Sequence, residues 1–270
     1  MGTHESVHLF DDMGRRILPQ GLLTAVHVPY NEYAVVQTVH TLVDHYQRIN
    51  AHHYEEITDL TISVNEYRER YMNLWKGIES TREIANILKG VCIPLLIPKM
   101  AIEDYGKTAE FLVRIVQNAY LYKFPERVFT NYCRNDLQGK VSVIPGSRHE
   151  RLILKMAHDS VMALYFPNAL LGYSPYAMEE QMKTLPQGLL LSGVIDTAIA
   201  WIMYPEMMGR TMYTPIHQCA AVAYLDTQHS LRFYVTAPVR GSKGIIGNFS
   251  SSYGLSVARG HHSGGLLYIE

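Results

Sequence analysis

The sequence predicts an α+β fold with a mainly helical region over residues 1–180 and a helix followed by an antiparallel sheet over residues 181–270. Two patterns carry this prediction. Apolar residues between positions 36 and 92 recur at alternating steps of three and four, which is typical of helices. After position 215, short apolar segments are separated by turns rich in Gly, Ser and His, which is typical of strands.

Composition limits the classes of function. The chain has 270 residues, 24 basic and 25 acidic, and 47% of them are hydrophobic. This near-zero net charge argues against a nucleic-acid-binding protein, which normally carries a basic stripe. The three cysteines are odd in number and widely spaced, so they predict reduced thiols rather than a disulfide framework or a zinc site. No metal site and no cofactor are expected.

The amino-terminal sequence predicts a soluble cytoplasmic protein. Residues 1–20 contain several charges and no apolar core of a signal peptide. Their first six residues fit the loose pattern for N-myristoylation at Gly2, which matters only in a eukaryotic cell. The apolar segment 188–204 is short for a membrane span and carries Asp196 near its middle, so it predicts a buried helix rather than a transmembrane segment.

The segment 36–92 has the spacing of a heptad seam. Asn50 and His53 interrupt it, which indicates a polar layer or a turn at that point. The motifs Ser63-x-x-Glu66 and Ser80-x-x-Glu83 resemble capping boxes at helix starts. Two or three stacked helices, such as a helical hairpin, are therefore favoured over one long rod.

Further elements follow from prolines and apolar runs. Helices are predicted at 107–123, 125–134, 148–165, 176–184 and 188–204. Strands are predicted at 22–28, 216–225, 231–239, 245–251, 255–259 and 266–269.

The predicted helix 188–204 contains the residues best suited to chemistry. Asp196 is its one charged residue, and burial would raise the pKa of this carboxyl and suit it to general-base or nucleophilic catalysis. Gly188 opens the helix, so its N–H is expected to be free to polarise a carbonyl. Because Asp196 lies about two helical turns further on, both groups reach one thioester only if Asp196 comes from a neighbouring subunit.

Residues 187–270 resemble hotdog-fold acyl-thioester hydrolases, in the branch related to phenylacetyl-CoA thioesterases. Gln187-Gly188-Leu189 corresponds to the family's His-Gly-Gly turn, and Val194–Ala198 to its Leu-Asp-Thr/Ser-Ala segment. Later landmarks match in order, at Val222–Leu225, Arg240-Gly241 and Tyr253–Arg259.

The resemblance implies a sheet curled around the helix, a homodimer or higher homo-oligomer, catalysis by Asp196, and carbonyl polarisation by the Gly188 N–H. Gln187 replaces the family's histidine and Leu189 its second glycine. The expected function is therefore an acyl-thioester hydrolase, or an acyl-thioester-binding relative that has lost activity.

A glycine-rich turn contains Arg240, Ser242 and Lys243. Its two cations and flexible glycines suit a phosphate of a nucleotide or of the CoA arm. A plain hairpin turn is the alternative interpretation.

The alternative function is a non-enzymatic subunit of a larger assembly, such as a secretion apparatus or viral particle, whose helical seam docks a protein partner. Asp196 discriminates between the two functions. An enzyme needs this carboxyl to face a cleft, whereas a scaffold neutralises it with a buried hydrogen-bond partner.

Overall fold

The computed structural model describes residues 8–18, 42–58, 62–134, 136–224, 229–238 and 244–270. The chain is α+β, as predicted. Several sequence-based predictions lie outside these ranges, namely the strand at 22–28, myristoylation at Gly2, and the phosphate-binding residues Arg240, Ser242 and Lys243.

The described residues form eight α-helices, one 3₁₀-helix and ten strands. The α-helices are α1 (Leu42–Ile49), α2 (His52–Glu55), α3 (Val64–Glu79), α4 (Tyr105–Lys123), α5 (Glu150–His158), α6 (Pro175–Gln181), α7 (Val194–Met203) and α8 (Pro205–Met208), and the 3₁₀-helix is Ala85–Lys89. The strands are β1 (Ile93–Ile97), β2 (Val128–Asn131), β3 (Val141–Val143), β4 (Val161–Leu171), β5 (Leu189–Leu191), β6 (Ile216–Gln218), β7 (Val222–Tyr224), β8 (His229–Thr236), β9 (Ile246–Tyr253) and β10 (His262–Ile269).

One large sheet dominates the described residues, with the strand order β1-β4-β10-β6-β8-β9-β2. Most neighbours are antiparallel, but β10 runs parallel to β6, and β9 runs parallel to β2. β10 is central: it pairs with β4 on one side and with β6 and β5 on the other. The sheet therefore joins strands from both sides of residue 180.

Helix α7 lies in the centre of the core, and all ten of its residues are buried. It packs against α4 and against β1 and β8 of the sheet. Trp201 of α7 lies between Tyr120 of α4, at 6.0 Å between ring centroids, and Phe233 of β8, at 5.7 Å. These aromatic contacts hold α4 and the sheet on either side of α7.

The seam predicted over 36–92 consists, in its described part, of short helices rather than a rod. Tyr67, Leu74 and Ile78 of α3 are buried in the core of this same chain. Ser63 is confirmed as the N-cap of α3, because its hydroxyl accepts a hydrogen bond from the Glu66 N–H, which is the serine half of the predicted capping box. The Ser80 box is wrong, because Ser80 caps the C-terminal end of α3.

The described part of residues 1–180 contains six α-helices but also four strands, which the sequence did not predict. The helix predicted at 148–165 ends at His158, and the next residues form β4, whose residues are nearly all buried. A continuous apolar run does not distinguish a buried strand from a buried helix, and here the pairing with β1 and β10 decides. The segment predicted as the helix 125–134 contains β2, which pairs with β9.

The helix predicted at 188–204 begins six residues later than expected. Leu189–Leu191 instead form β5 and pair with β10, and the helix starts at Val194. The strand predicted at 255–259 is a turn. Among the helices that the structure describes, none has the length and apolar character that a bilayer crossing requires.

Candidate functional site

A cavity of about 290 Å³ opens beside the start of α5. We call it the His149 pocket. It is bounded by the loop before α5, the C-terminal end of α6, the end of β5 and the turn before β7. Its lining residues are Ile144, Pro145, Gly146, Ser147, Arg148, His149, Glu179, Met182, Lys183, Leu191, Ala220 and Ala221.

Asp196 lies behind this pocket, in the first turn of α7, and is fully buried. Its carboxyl accepts hydrogen bonds from the N–H of Gly193, the N-cap residue, at 3.0 and 3.3 Å. It also interacts with its own backbone N–H. The carboxyl therefore caps its own helix and does not line the pocket.

Tyr105, the first residue of α4, caps the same helix end from outside. Its hydroxyl oxygen accepts hydrogen bonds from the N–H of Val194 at 3.1 Å and of Ile195 at 3.4 Å. The first four N–H groups of a helix have no partner within the helix. In α7, Asp196 and Tyr105 together accept hydrogen bonds from three of the four, those of Gly193, Val194 and Ile195.

His149 connects this buried end of α7 to the pocket. Its Nδ1 lies 2.9 Å from the carbonyl oxygen of Leu191, which only accepts, so Nδ1 carries the hydrogen. Its Nε2 is buried, lies 3.7 Å from Asp196 Oδ1 and has no hydrogen-bond partner among the described residues. Gly193 makes this packing feasible, because a Cβ there would lie 2.6 Å from the Tyr105 hydroxyl and 2.8 Å from Nε2.

Burial makes both members of the pair neutral at pH 7. Loss of hydration lowers the pKa of His149 to about 4. The same effect raises the pKa of Asp196 to about 8, against the opposing influence of the Gly193 N–H. Desolvation therefore outweighs the attraction that an ion pair would supply. The raised pKa of Asp196 confirms the direction expected from a carboxyl inside an apolar helix.

The predicted polarising group, Gly188, does not lie at a helix start. It precedes β5, and its Cβ position would lie 2.5 Å from the Tyr268 ring. Gln187 is exposed, and its carbonyl accepts a hydrogen bond from Arg151. The prediction that a free N–H of Gly188 opens the helix is therefore wrong, because β5 pairing moves the helix start to Val194.

Tyr105, Arg148 and His149 were missed by sequence analysis. They lie far from Asp196 along the chain, and the spacing of the residues around them gives no signal of a shared site. Only tertiary structure brings Tyr105, at the start of α4, and His149, just before α5, to Asp196.

All three cysteines are free thiols. Across the described ranges, no three His, Cys, Asp or Glu side chains gather as a metal ion requires. No family model, curated protein or solved structure matches this chain. The function of the site is therefore inferred from its own contacts.

Proposed function

We propose that this chain binds an acyl thioester, or the acyl part of one, in the His149 pocket without hydrolysing it. It would then be a relative of the acyl-thioester hydrolases that keeps binding and has lost catalysis. One observation carries this proposal. The N–H groups at the N-terminal end of α7 already have hydrogen-bond partners within the protein, while the adjacent pocket is open to a ligand.

Hydrolysis needs a group that activates water and donors that stabilise the oxyanion. Asp196 is fully buried and engaged with the Gly193 N–H. The neighbouring donors of Val194 and Ile195 already bind Tyr105. None of these groups is free to act on a carbonyl in the pocket.

The pocket itself suits the end of an acyl chain. Leu191, Ala220 and Ala221 give it apolar walls and are buried. Lys183 is an exposed residue at its edge, where an ammonium group would attract the anionic carrier of a thioester. Small-molecule sites commonly combine apolar walls with a few polar groups in this way.

Calorimetric titration with acyl-CoAs, combined with a thiol-release assay, tests the proposal. We expect saturable binding and no thiol release above the uncatalysed rate. Ala221→Phe, which fills the pocket, should weaken binding at least about tenfold, whereas Leu154→Gln, a change at an exposed residue that does not line the pocket, should leave it unchanged. Thiol release that Asp196→Asn abolishes, in a folded variant, would instead establish a hydrolase.

A second candidate function, a subunit of a self-assembling particle, is favoured by a different observation. Arg127 Nη1 donates to the carbonyls of Gly209 and Arg210, at 3.1 and 3.0 Å, which holds the start of β2 beside the segment after α8. Val128 and Met212, next to these contacts, are each 49% exposed. A contiguous patch of exposed apolar side chains marks an interaction surface, and these two residues would be its centre.

Sedimentation velocity over a range of concentrations tests this second candidate. If the surface joins copies of the chain, the sedimentation coefficient should rise with concentration. The double change Val128→Glu and Met212→Glu should then abolish that rise. A monomer at all concentrations contradicts self-assembly.

A further inference from the structure

One side chain makes four hydrogen bonds to one wall of the His149 pocket. Arg148 Nη1 donates to the carbonyls of Pro186, at 2.6 Å, and Leu189, at 3.2 Å. Its Nη2 donates to the carbonyls of Leu185, at 2.9 Å, and Met182. The planar guanidinium thus donates hydrogen bonds to four carbonyls of residues 182–189. The ammonium of lysine cannot reproduce this geometry.

This held segment is part of the pocket. Met182 and Lys183 line the cavity, and Leu189 begins β5, whose last residue Leu191 also lines it. Arg148 itself lies between the segment and the cavity. Arg16 also contacts Thr184, Arg151 contacts Gln187, and β5 pairs with β10. Loss of the four Arg148 hydrogen bonds would still loosen residues 182–189, because charge-assisted bonds of this kind contribute more than neutral ones.

The opposite wall is fixed independently of Arg148. The N–H of Ala221 donates to the carbonyl of Ser192 at 3.0 Å, and the carbonyl of Ala221 accepts from the N–H of Ile144 at 3.1 Å. Ala221 is therefore tied to two other segments of the pocket lining. The pocket is therefore lined both by this wall and by the segment that Arg148 contacts.

The volume of the His149 pocket limits the size of the acyl group that it can hold. A water molecule takes about 30 Å³ in the liquid, so this half-open pocket of about 290 Å³ can surround about ten non-hydrogen atoms of a ligand. An acyl group of four to about eight carbons fits within this limit, whereas a twelve-carbon chain exceeds it. Overfilling a packed site carries a penalty because its walls must move.

We propose that the pocket is selective for short acyl groups and that Arg148, as a positioning residue, sets the upper limit of chain length by holding residues 182–189 in place. This inference rests on the proposed function. It adds the substrate class and the residue that determines it.

The test measures dissociation constants of butyryl-, hexanoyl- and dodecanoyl-CoA for the full chain and three variants. The wild type should bind hexanoyl-CoA at least about tenfold more tightly than dodecanoyl-CoA. Arg148→Met should reduce that ratio to about threefold or less. Arg151→Met is the matched control, because Arg151 donates to the Gln187 carbonyl of the same segment but does not line the pocket; its ratio should match the wild type.

A second variant and a second measurement keep the test decisive if Arg148→Met folds poorly. Ala221→Val narrows the pocket from the fixed wall and should shift the preference from hexanoyl- to butyryl-CoA. Without ligand, hydrogen exchange should show faster exchange at residues 182–189 in Arg148→Met than in Arg151→Met.

The outcomes separate the two proposals. Binding with equal affinity at all chain lengths, or an unchanged ratio in Arg148→Met, overturns the selectivity inference and leaves the proposed binding function intact. No binding of any acyl-CoA by the wild type overturns both.

Discussion

Replacing Tyr105 with Phe is expected to lower the free energy of unfolding by about 3 kcal/mol. The hydroxyl oxygen of Tyr105 is the acceptor for two backbone donors, the N–H groups of Val194 and Ile195, in a fully buried environment. Phenylalanine keeps the ring and removes the acceptor. Two N–H groups would then lie without a partner in the core, each at a cost of about 1–3 kcal/mol. Urea denaturation followed by circular dichroism measures the change.

Tyr165→Phe is the matched control for this prediction. Tyr165 is equally buried, but its hydroxyl lies 3.5 Å from the Thr197 hydroxyl and accepts from no helix-end N–H in the described contacts. Its removal should lower the free energy of unfolding by about 1 kcal/mol or less. Equal losses in the two variants would show that capping of α7 is not the role of Tyr105.

Stability is expected to fall by about 2 kcal/mol between pH 6.5 and pH 8, and Asp196→Asn should abolish that fall. The folded chain keeps the Asp196 carboxyl protonated up to about pH 8, whereas the carboxyl of an unfolded chain loses its proton near 3.8. Folding must therefore take up a proton, and this becomes costlier as the pH rises through that window. Asparagine is neutral at every pH and keeps the carbonyl oxygen that accepts from Gly193. Urea denaturation at a series of pH values measures how the free energy of unfolding changes with pH in the wild type and in Asp196→Asn.

Three buried histidines determine how the free energy of unfolding changes with pH below 6.5. The pKa of His149 is lowered to about 4, and those of His217 and His262 to about 3, chiefly by burial. The unfolded chain therefore holds protons that the folded chain lacks, and stability falls as the pH drops below 6.5. His149→Gln should reduce this acid slope and leave the slope above pH 6.5 unchanged. A pH profile that Asp196→Asn does not alter above pH 6.5 would contradict a neutral Asp196.

The sequence was most informative about α7. The apolar run correctly predicted a buried helix, and its lone carboxyl correctly predicted a raised pKa for Asp196. The start of the helix was not predictable, because Leu189–Leu191 suit a buried strand as well as a helix. Hydrogen bonding to β10, which lies more than 70 residues later in the chain, makes them a strand.

The chemistry of the site was less predictable than the helix. Whether Asp196 faces a cleft depends on which residues pack over the start of α7. Those residues, Tyr105 and His149, come from the first turn of α4 and the N-cap of α5. Neither belongs to a motif, and their positions follow from tertiary packing. The local sequence therefore identifies the carboxyl but not the side chains that enclose it.

The position of β10 has a consequence for how the protein folds. β10 follows every other strand of this sheet along the chain, yet it lies between β4 and the pair β5 and β6. In the described sheet, β1 and β4 are hydrogen-bonded to the β6-β8-β9-β2 half only through β10. Pairing of β10 with β4 and β5 is therefore non-local, which slows folding and prolongs the time that the apolar edges of β4 and β5 are exposed to aggregation.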